Sequence, residues 1–189
     1  MGEPVVGCRL FTDKLLRGFV INSTDVVKIV ALLESASIAV WLDGGWGVDA
    51  LIGEQTRSHN DLDIVIRQSD VPRLRETLEH EGFREKTGGT LWNFVLVDES
   101  GREVDVHTVR FDAEGNGLYG PSGQMYLAGT LDGIGKVGDM RVQCKTAEAQ
   151  MAERVGYKWK ACDYHDVLVL EKRLGIPIPT HYDVWRPDL

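Results

Sequence analysis

Two aspartates, Asp61 and Asp63, stand two positions apart and open the apolar run Ile64, Val65 and Ile66. Side chains two apart on a β-strand point to the same face, so both carboxylates can reach one hard cation. Neighbouring carboxylates repel each other unless a cation neutralises them, and Mg²⁺ prefers oxygen ligands and takes some of them from substrate phosphates. The pair therefore predicts metal-dependent chemistry on a nucleotide phosphate.

A glycine pair, Gly44 and Gly45, precedes the aspartates and lies between a predicted strand and a predicted helix. Without side chains, this backbone can approach phosphate oxygens, and the N-terminus of a helix favours an anion. A tight turn packed beneath Trp46 is the alternative explanation. In combination with the aspartates, the turn predicts a phosphate site.

A third carboxylate is available on another predicted strand, where Glu103, Asp105 and His107 alternate with valines and so share one face. If that strand lies beside the Asp61 strand, Asp105 can complete a two-metal site and accept the proton of an attacking hydroxyl. Glu103 is the alternative for this role. An edge strand with solvated charges is the structural alternative.

Two further side chains precede the aspartates with the same alternation, Arg57 and His59. Arg57 can neutralise a triphosphate through two parallel hydrogen bonds, and His59 can orient a carboxylate or contact phosphate. A purely structural role for His59 is equally open. Four lysines are candidates for a cation that faces phosphate: Lys145, Lys158, Lys160 and Lys172.

The elements that must position these residues follow from apolar periodicity, caps and glycines. Helices are expected at about 25–34, 46–52, 69–80, 146–155 (capped by Thr146) and 163–174 (capped by Asp163). Strands are expected at 38–42, 62–67, 83–86, 91–97, 104–109 and 141–145. Eight glycines between 111 and 140 predict an irregular, functional segment, with a run of hairpin turns as the alternative.

This pattern predicts an α+β fold, a small mixed sheet with helices, followed by a small C-terminal helical part. We expect an N-terminal extension at 1–22, a core at 23–145, and a helical part with a tail at 146–189. The length suits one compact core with a small appendage.

Composition limits the functional classes. A net charge of −8 without a basic run argues against a nucleic-acid partner. No apolar stretch approaches the ~18 residues of a membrane span, and no export signal is visible. Three cysteines without disulfide or zinc spacing fit small core residues in a reducing cytosol. We therefore expect a soluble cytoplasmic protein, with a homodimer left open.

Segments 44–49 and 57–63 resemble the signature of the polymerase-beta-type nucleotidyltransferase superfamily. With 41–43 and Gly53 included, the resemblance is strongest to its antibiotic-modifying branch, to lincosamide nucleotidyltransferases first and aminoglycoside 2''-nucleotidyltransferases next. The segment 105–107 resembles their third-carboxylate segment, and residues from 149 to 168 resemble their C-terminal helical part. Residues 111–140 and 176–189 do not follow the family pattern, which leaves the acceptor open.

The resemblance implies transfer of a nucleoside monophosphate, usually AMP from ATP, to a hydroxyl of a small-molecule antibiotic, with Mg²⁺ and release of pyrophosphate. It implies that the metal ligands and catalytic residues are Asp61, Asp63 and Asp105. It implies that Gly44 and Gly45 form the phosphate turn. With the side chains considered above, the expected nucleoside-triphosphate site consists of Gly44, Gly45, Trp46, Arg57 and His59.

Two alternatives to a lincosamide acceptor stay open. The first is an aminoglycoside, whose several ammonium groups need convergent carboxylates; the candidates are Asp98, Glu99, Glu103, Asp112 and Glu114. The second is a nucleotidyltransferase-type antitoxin that acts on a partner protein. Such chains tend to be shorter and to lack a long segment after the third carboxylate.

Overall fold

The computed structural model describes residues 20–121, 123–154, 158–180 and 182. The expected N-terminal extension therefore lies almost wholly outside the described residues, as does most of the tail. Among the described helices, none combines the length and the apolar character that a membrane crossing requires.

A single mixed sheet organises the described chain. Its strands are β1 (Val40–Leu42), β2 (Asp61–Arg67), β3 (Arg84–Glu85), β4 (Asn93–Val97), β5 (Glu103–Phe111), β6 (Gly117–Tyr119), β7 (Gln124–Tyr126), β8 (Gly133–Val137) and β9 (Met140–Cys144). The order is β3-β4-β5-β2-β1-β9-β8, with β6 paired to β5 and to β7. Strands β2 and β5 are parallel, whereas β1 and β2 are antiparallel. The predicted α+β fold with a mixed sheet is confirmed.

Five α-helices accompany the sheet in the described ranges: α1 (Ser23–Ser35), α2 (Gly44–Ile52), α3 (Val71–His80), α4 (Ala147–Ala152) and α5 (Ala161–Leu174). One sheet face packs under α1 and α3 in the main core, which contains Leu62, Ile64, Val104 and Val106. Helices α2, α4 and α5 share a second apolar cluster around Val48. The C-terminal helices are thereby fixed to α2.

The predicted start of α1 and the predicted cap of α5 were wrong. Helix α1 is capped by Asn22, whose side chain accepts from the N–H groups of Thr24 and Asp25, so it begins earlier than expected. Helix α5 begins at Ala161, and the Asp163 carboxylate accepts from the N–H of Lys160 at 2.8 Å. Asp163 thus occupies the third helical position, where a carboxylate caps the preceding backbone amide.

The expectation of an irregular segment between 111 and 140 was also wrong. It contains β6, β7 and β8, and the hairpin alternative is nearer to the structure. Gly120 and Gly123 have φ of 72° and 70°, values that side chains resist, so these glycines build the β6–β7 turn. Glycine density here marks turns between short strands.

Two smaller differences concern element ends. Strand β1 is shorter than expected and starts at Val40. Helix α4 ends at Ala152, and Val155, its expected last residue, lies outside the described residues.

Cys144 is buried in the main core as predicted, Cys162 is half-buried, and Cys8 lies outside the described residues.

Candidate active site

Strands β2 and β5 bring the predicted carboxylates together. In their parallel register Asp63 lies beside Asp105, and Asp61 lies beside Glu103. One ligand atom each from Asp63, Asp105 and His107 lies within 4.8 Å of the others, a spacing that one metal ion can bridge. The expected adjacency of the two strands is confirmed, and the roles of these residues as metal ligands remain predictions.

Polar neighbours hold Asp105 in place. Asn93 on β4 donates from Nδ2 to Asp105 Oδ1 at 2.6 Å. His107 Nε2 lies 3.7 Å from the same oxygen, and its Nδ1 lies 3.2 Å from the hydroxyl of Tyr119. Glu103, the alternative third carboxylate, instead forms an ion pair with Lys86 at 2.5 Å. Asp105 is therefore the better-positioned group at the centre of the cluster.

The carboxylates perturb one another. Burial, followed by the negative charges of Asp61, Asp43 and Asp105, raises the pKa of Asp63 well above its usual range. Desolvation and then the charge of Asp105 also raise the pKa of Asp61. Negative charge held together against repulsion is the electrostatic environment that a bound cation relieves.

The N-terminus of α2 forms a turn directly against these carboxylates. Gly44 has φ of 53°, and a Cβ built on it would lie 2.2 Å from Asp63 Oδ2. A Cβ on Gly45 would lie 2.2 Å from Arg57 Nη2 and 2.5 Å from His59 Nδ1. Only glycine allows the turn to approach the Asp63 carboxylate and the two basic side chains so closely.

The first N–H groups of α2 have different surroundings. Asp43 takes two of them, since its carboxylate accepts from Gly44 at 2.7 Å and its carbonyl accepts from Gly47 at 2.8 Å. The first four N–H groups of a helix lack earlier intrahelical acceptors, so those of Gly45 and Trp46 are left to meet an anion. The Trp46 indole is buried in the core, which leaves its backbone amide as the group suited to phosphate.

Arg57 stands at the turn with a fixed partner. Its Nε and Nη2 donate to the two oxygens of Asp166 on α5 at 2.7 and 2.8 Å. Arg154 Nη2 donates to the same buried carboxylate at 3.0 Å. Helix α5 thereby orients Arg57, whose contact with a triphosphate stays a prediction.

His59 is buried behind the turn. Its Nε2 lies 2.5 Å from Asp49 Oδ2, and its ring lies 4.5 Å from that of Trp46. Thr56 donates to the other oxygen of Asp49 at 2.6 Å. Asp49 therefore fixes the ring so that Nδ1 faces the Gly45 backbone, and a role next to phosphate stays a prediction.

Of the four candidate lysines, Lys145 is at the turn and the rest are exposed: Lys158, Lys160 and Lys172. Lys145 Nζ lies 2.6 Å from Asp43 Oδ2 and also pairs with Glu153. Burial alone would raise the pKa of Asp43, but the Lys145 ammonium outweighs it and holds that pKa below its usual value. Sequence reasoning missed Asp43, although an aspartate before a glycine turn is a recognisable helix N-cap.

The model of the aminoglycoside-2''-adenylyltransferase family matches residues 25–170. The chain belongs to this family. A match of that extent includes the glycine turn, all three predicted carboxylates and most of α5, so the predicted enzyme class, a nucleotidyltransferase, is confirmed.

Two proteins whose names refer to lincosamides also resemble the chain. A lincosamide resistance protein of Staphylococcus haemolyticus is 27% identical over 150 residues, which are 78% of this chain and 92% of that protein. The lincomycin-bound crystal structure of the lincosamide antibiotic adenylyltransferase LnuA has a TM-score of 0.74 and 26% identity, covering 82% of this chain and 99% of that one.

A more distant structure shares the fold. ANT(2'')-Ia in complex with adenylyl-2''-tobramycin has a TM-score of 0.65 at 21% identity, covering 81% of this chain and 89% of that one. The names of these similar proteins therefore point to two kinds of acceptor. The choice between them must come from the residues of this chain.

Proposed function

We propose that this protein transfers AMP from ATP to a hydroxyl of a small-molecule antibiotic of the lincosamide type and releases pyrophosphate. The observation that carries the proposal is the pairing of Asp63 with Asp105 directly against the N-terminal turn of α2. It supports a cation site, a candidate base and an anion site that are next to one another. A cytoplasmic location, where ATP and Mg²⁺ are available, belongs to the same proposal.

The residues fit a divalent metal. Asp61, Asp63 and Asp105 offer hard oxygen donors, and the raised pKa of Asp63 shows that its charge lacks sufficient compensation from the protein. Mg²⁺ bound by these carboxylates would offset the negative charge of the reacting phosphate and of the leaving pyrophosphate.

The protein groups perform the remaining steps. The N–H groups of Gly45 and Trp46, with Arg57 beside them, bind the triphosphate. The acceptor oxygen attacks the α-phosphorus, the bond from that phosphorus to the pyrophosphate oxygen breaks, and the hydroxyl proton passes to Asp105. Asn93 already donates to Asp105 Oδ1, which leaves Oδ2 to receive the proton.

Two of the candidate carboxylates for a polycationic acceptor, Asp98 and Asp112, do not converge. Asp98 accepts from Arg102 and Ser100 in the β4–β5 turn, whereas Asp112 accepts from Asn116 beyond the other end of β5. Strand β5 has nine residues, so the two carboxylates are separated by roughly 30 Å. This separation disfavours an aminoglycoside and supports the lincosamide-type acceptor, as does the long match to a lincosamide resistance protein.

The test is a transfer assay with the purified protein, ATP and Mg²⁺, with lincomycin and tobramycin as separate acceptors. The expected result is a mass increase of one adenylyl group on lincomycin, absent with the isosteric variant Asp63→Asn. Adenylyl transfer to tobramycin alone would refute the acceptor class and retain the chemistry. Absence of a product with either acceptor would contradict the proposed function.

A further inference from the structure

A cleft of about 180 Å³ lies on the same sheet face as the carboxylates, at the opposite end of the strands. Its wall includes the rings of Trp41, Phe111 and Tyr126, and the side chains of Leu127 and Leu131. The metal-site residues do not contribute to it. The mechanism above assigns no role to this cleft.

Strand alternation places the cleft on the catalytic face. Asp61, Asp63 and Arg67 have the same parity on β2, and Arg67 lines the cleft. Arg67 is four positions beyond Asp63 on β2, so the two residues are roughly 13 Å apart along the strand. A two-ring acceptor molecule is long enough to span that distance.

An aromatic row connects the two ends. The ring of His107 lies 5.7 Å from that of Tyr119, which lies 5.9 Å from the ring of Tyr126 in the cleft wall. An acceptor whose hydroxyl reaches Asp105 therefore has a continuous ring surface along which its other end can extend. Aromatic faces of this kind bind apolar groups and sugar carbons.

The charges of the cleft favour an acceptor with few ammonium groups. The Arg67 guanidinium lies 4.6 Å from the centroid of Phe111 and 5.9 Å from that of Trp41. Within the described parts of the chain, no carboxylate forms an ion pair with it. Asp132 is the acidic residue of the lining. One cation and one anion around an aromatic wall suit a group that is apolar and carries at most one charge.

We infer that this cleft is the acceptor-specificity subsite: it receives the apolar end of the acceptor, remote from the reacting hydroxyl, while Arg67 repels polycations. The inference rests on the proposed transfer to a hydroxyl and adds the residues that select its acceptor. Leu127 is the most suitable probe because its side chain is 67% exposed, so its replacement leaves the core intact.

The test compares lincomycin with its N-acetylated amino-sugar half, which keeps the hydroxyls and lacks the apolar half. For Leu127→Asn, the ratio of kcat/KM for lincomycin to that for the half-molecule should fall about tenfold, the order expected for an apolar contact. The matched control is Leu174→Asn, which removes another exposed leucine from the end of α5. A merely structural effect would lower kcat/KM for both acceptors by the same factor and leave their ratio unchanged.

Charge is tested with Arg67→Gln, matched by Arg110→Gln. Arg110 is on β5, on the opposite sheet face, and lies 5.2 Å from the centroid of Trp92, so the control removes the same charge and a similar ring contact. The inhibition constant of tobramycin against lincomycin transfer should fall about fivefold in Arg67→Gln alone.

The outcomes distinguish failure of the subsite from failure of the proposed nucleotidyl transfer. If lincomycin is adenylylated but Leu127→Asn and Leu174→Asn keep the wild-type acceptor ratio, the cleft is not the subsite, while nucleotidyl transfer stands. Equal tobramycin inhibition in Arg67→Gln and Arg110→Gln overturns the role of Arg67. If no acceptor is adenylylated, the proposed function fails and the subsite fails with it.

Discussion

The Lys145 ammonium lies 2.6 Å from the Asp43 carboxylate, which in turn caps the N-terminal turn of α2 through the N–H of Gly44. The same ammonium is 1% exposed, pairs with Glu153 and lies 4.3 Å from the centroid of the Tyr126 ring. One buried cation therefore joins the turn to the C-terminal segment and to the β6–β7 hairpin.

Replacement of Lys145 by Met should cost about 3–5 kcal/mol of stability, because it leaves the Asp43 carboxylate buried without a counter-charge. The turnover number should also fall as the turn loses its orientation. Urea unfolding monitored by circular dichroism measures the first effect. In the double variant with Asp43→Asn, part of the stability should return, since the unpaired carboxylate is gone. Equal stability of the single variant and the wild type would contradict this role.

Asp63→Asn should lower turnover by about a thousandfold or more, because it removes an anionic ligand from a site whose cation supplies several kcal/mol of transition-state stabilisation. Asp61→Asn should behave similarly. Without metal, both variants should have a higher melting temperature than the wild type, because adjacent carboxylates repel each other in the folded wild-type protein. Mg²⁺ should raise the melting temperature of the wild type and have a weaker effect on the variants. Near-normal turnover in either variant would remove the assignment of metal ligands.

Strands β2 and β5 were predictable because the alternation that indicates a strand involves neighbouring residues. Alternation placed Asp61 with Asp63 and Asp105 with His107 on common faces, and caps and glycines located most elements. The partner of Arg57 was not predictable, because it is distant in sequence. Arg57 and Asp166 are 109 positions apart, and only the docking of α5 on α2 brings them together.

The hairpins after β5 were misjudged for a related reason. Short strands such as β6 and β7 have too few residues for a readable alternation, and their pairing depends on partners elsewhere in the sheet. The cleft that we assign to the acceptor is built largely from this segment. The part of the chain with the least periodicity therefore contributes most to the proposed specificity.

The stability of the metal-free protein should depend on pH through Asp63. Its folded pKa is raised above the usual 3.8, so its ionisation destabilises the folded state at neutral pH. As pH falls through the raised folded pKa, protonation removes this penalty, which is absent below the unfolded pKa. The stability advantage of Asp63→Asn over the wild type should therefore be largest near neutrality and should shrink on acidification. An advantage that grows as pH falls would show that the pKa shift has the opposite sign.

The choice between Asp105 and Glu103 as the base can be decided by separating binding from turnover. Asp105→Asn keeps the shape of the side chain but removes the group that receives the proton, so the turnover number should fall by about a hundredfold or more. Its affinity for Mg-ATP, measured by calorimetry, should be reduced less than in Asp61→Asn or Asp63→Asn if those two hold most of the metal.

Glu103→Gln is the matched control, because Glu103 is on the same strand face but forms an ion pair with the exposed Lys86. That variant should retain most of its activity. If Glu103→Gln is inactive and Asp105→Asn turns over normally, the proton acceptor lies one alternate position earlier on β5, beside Asp61 instead of Asp63.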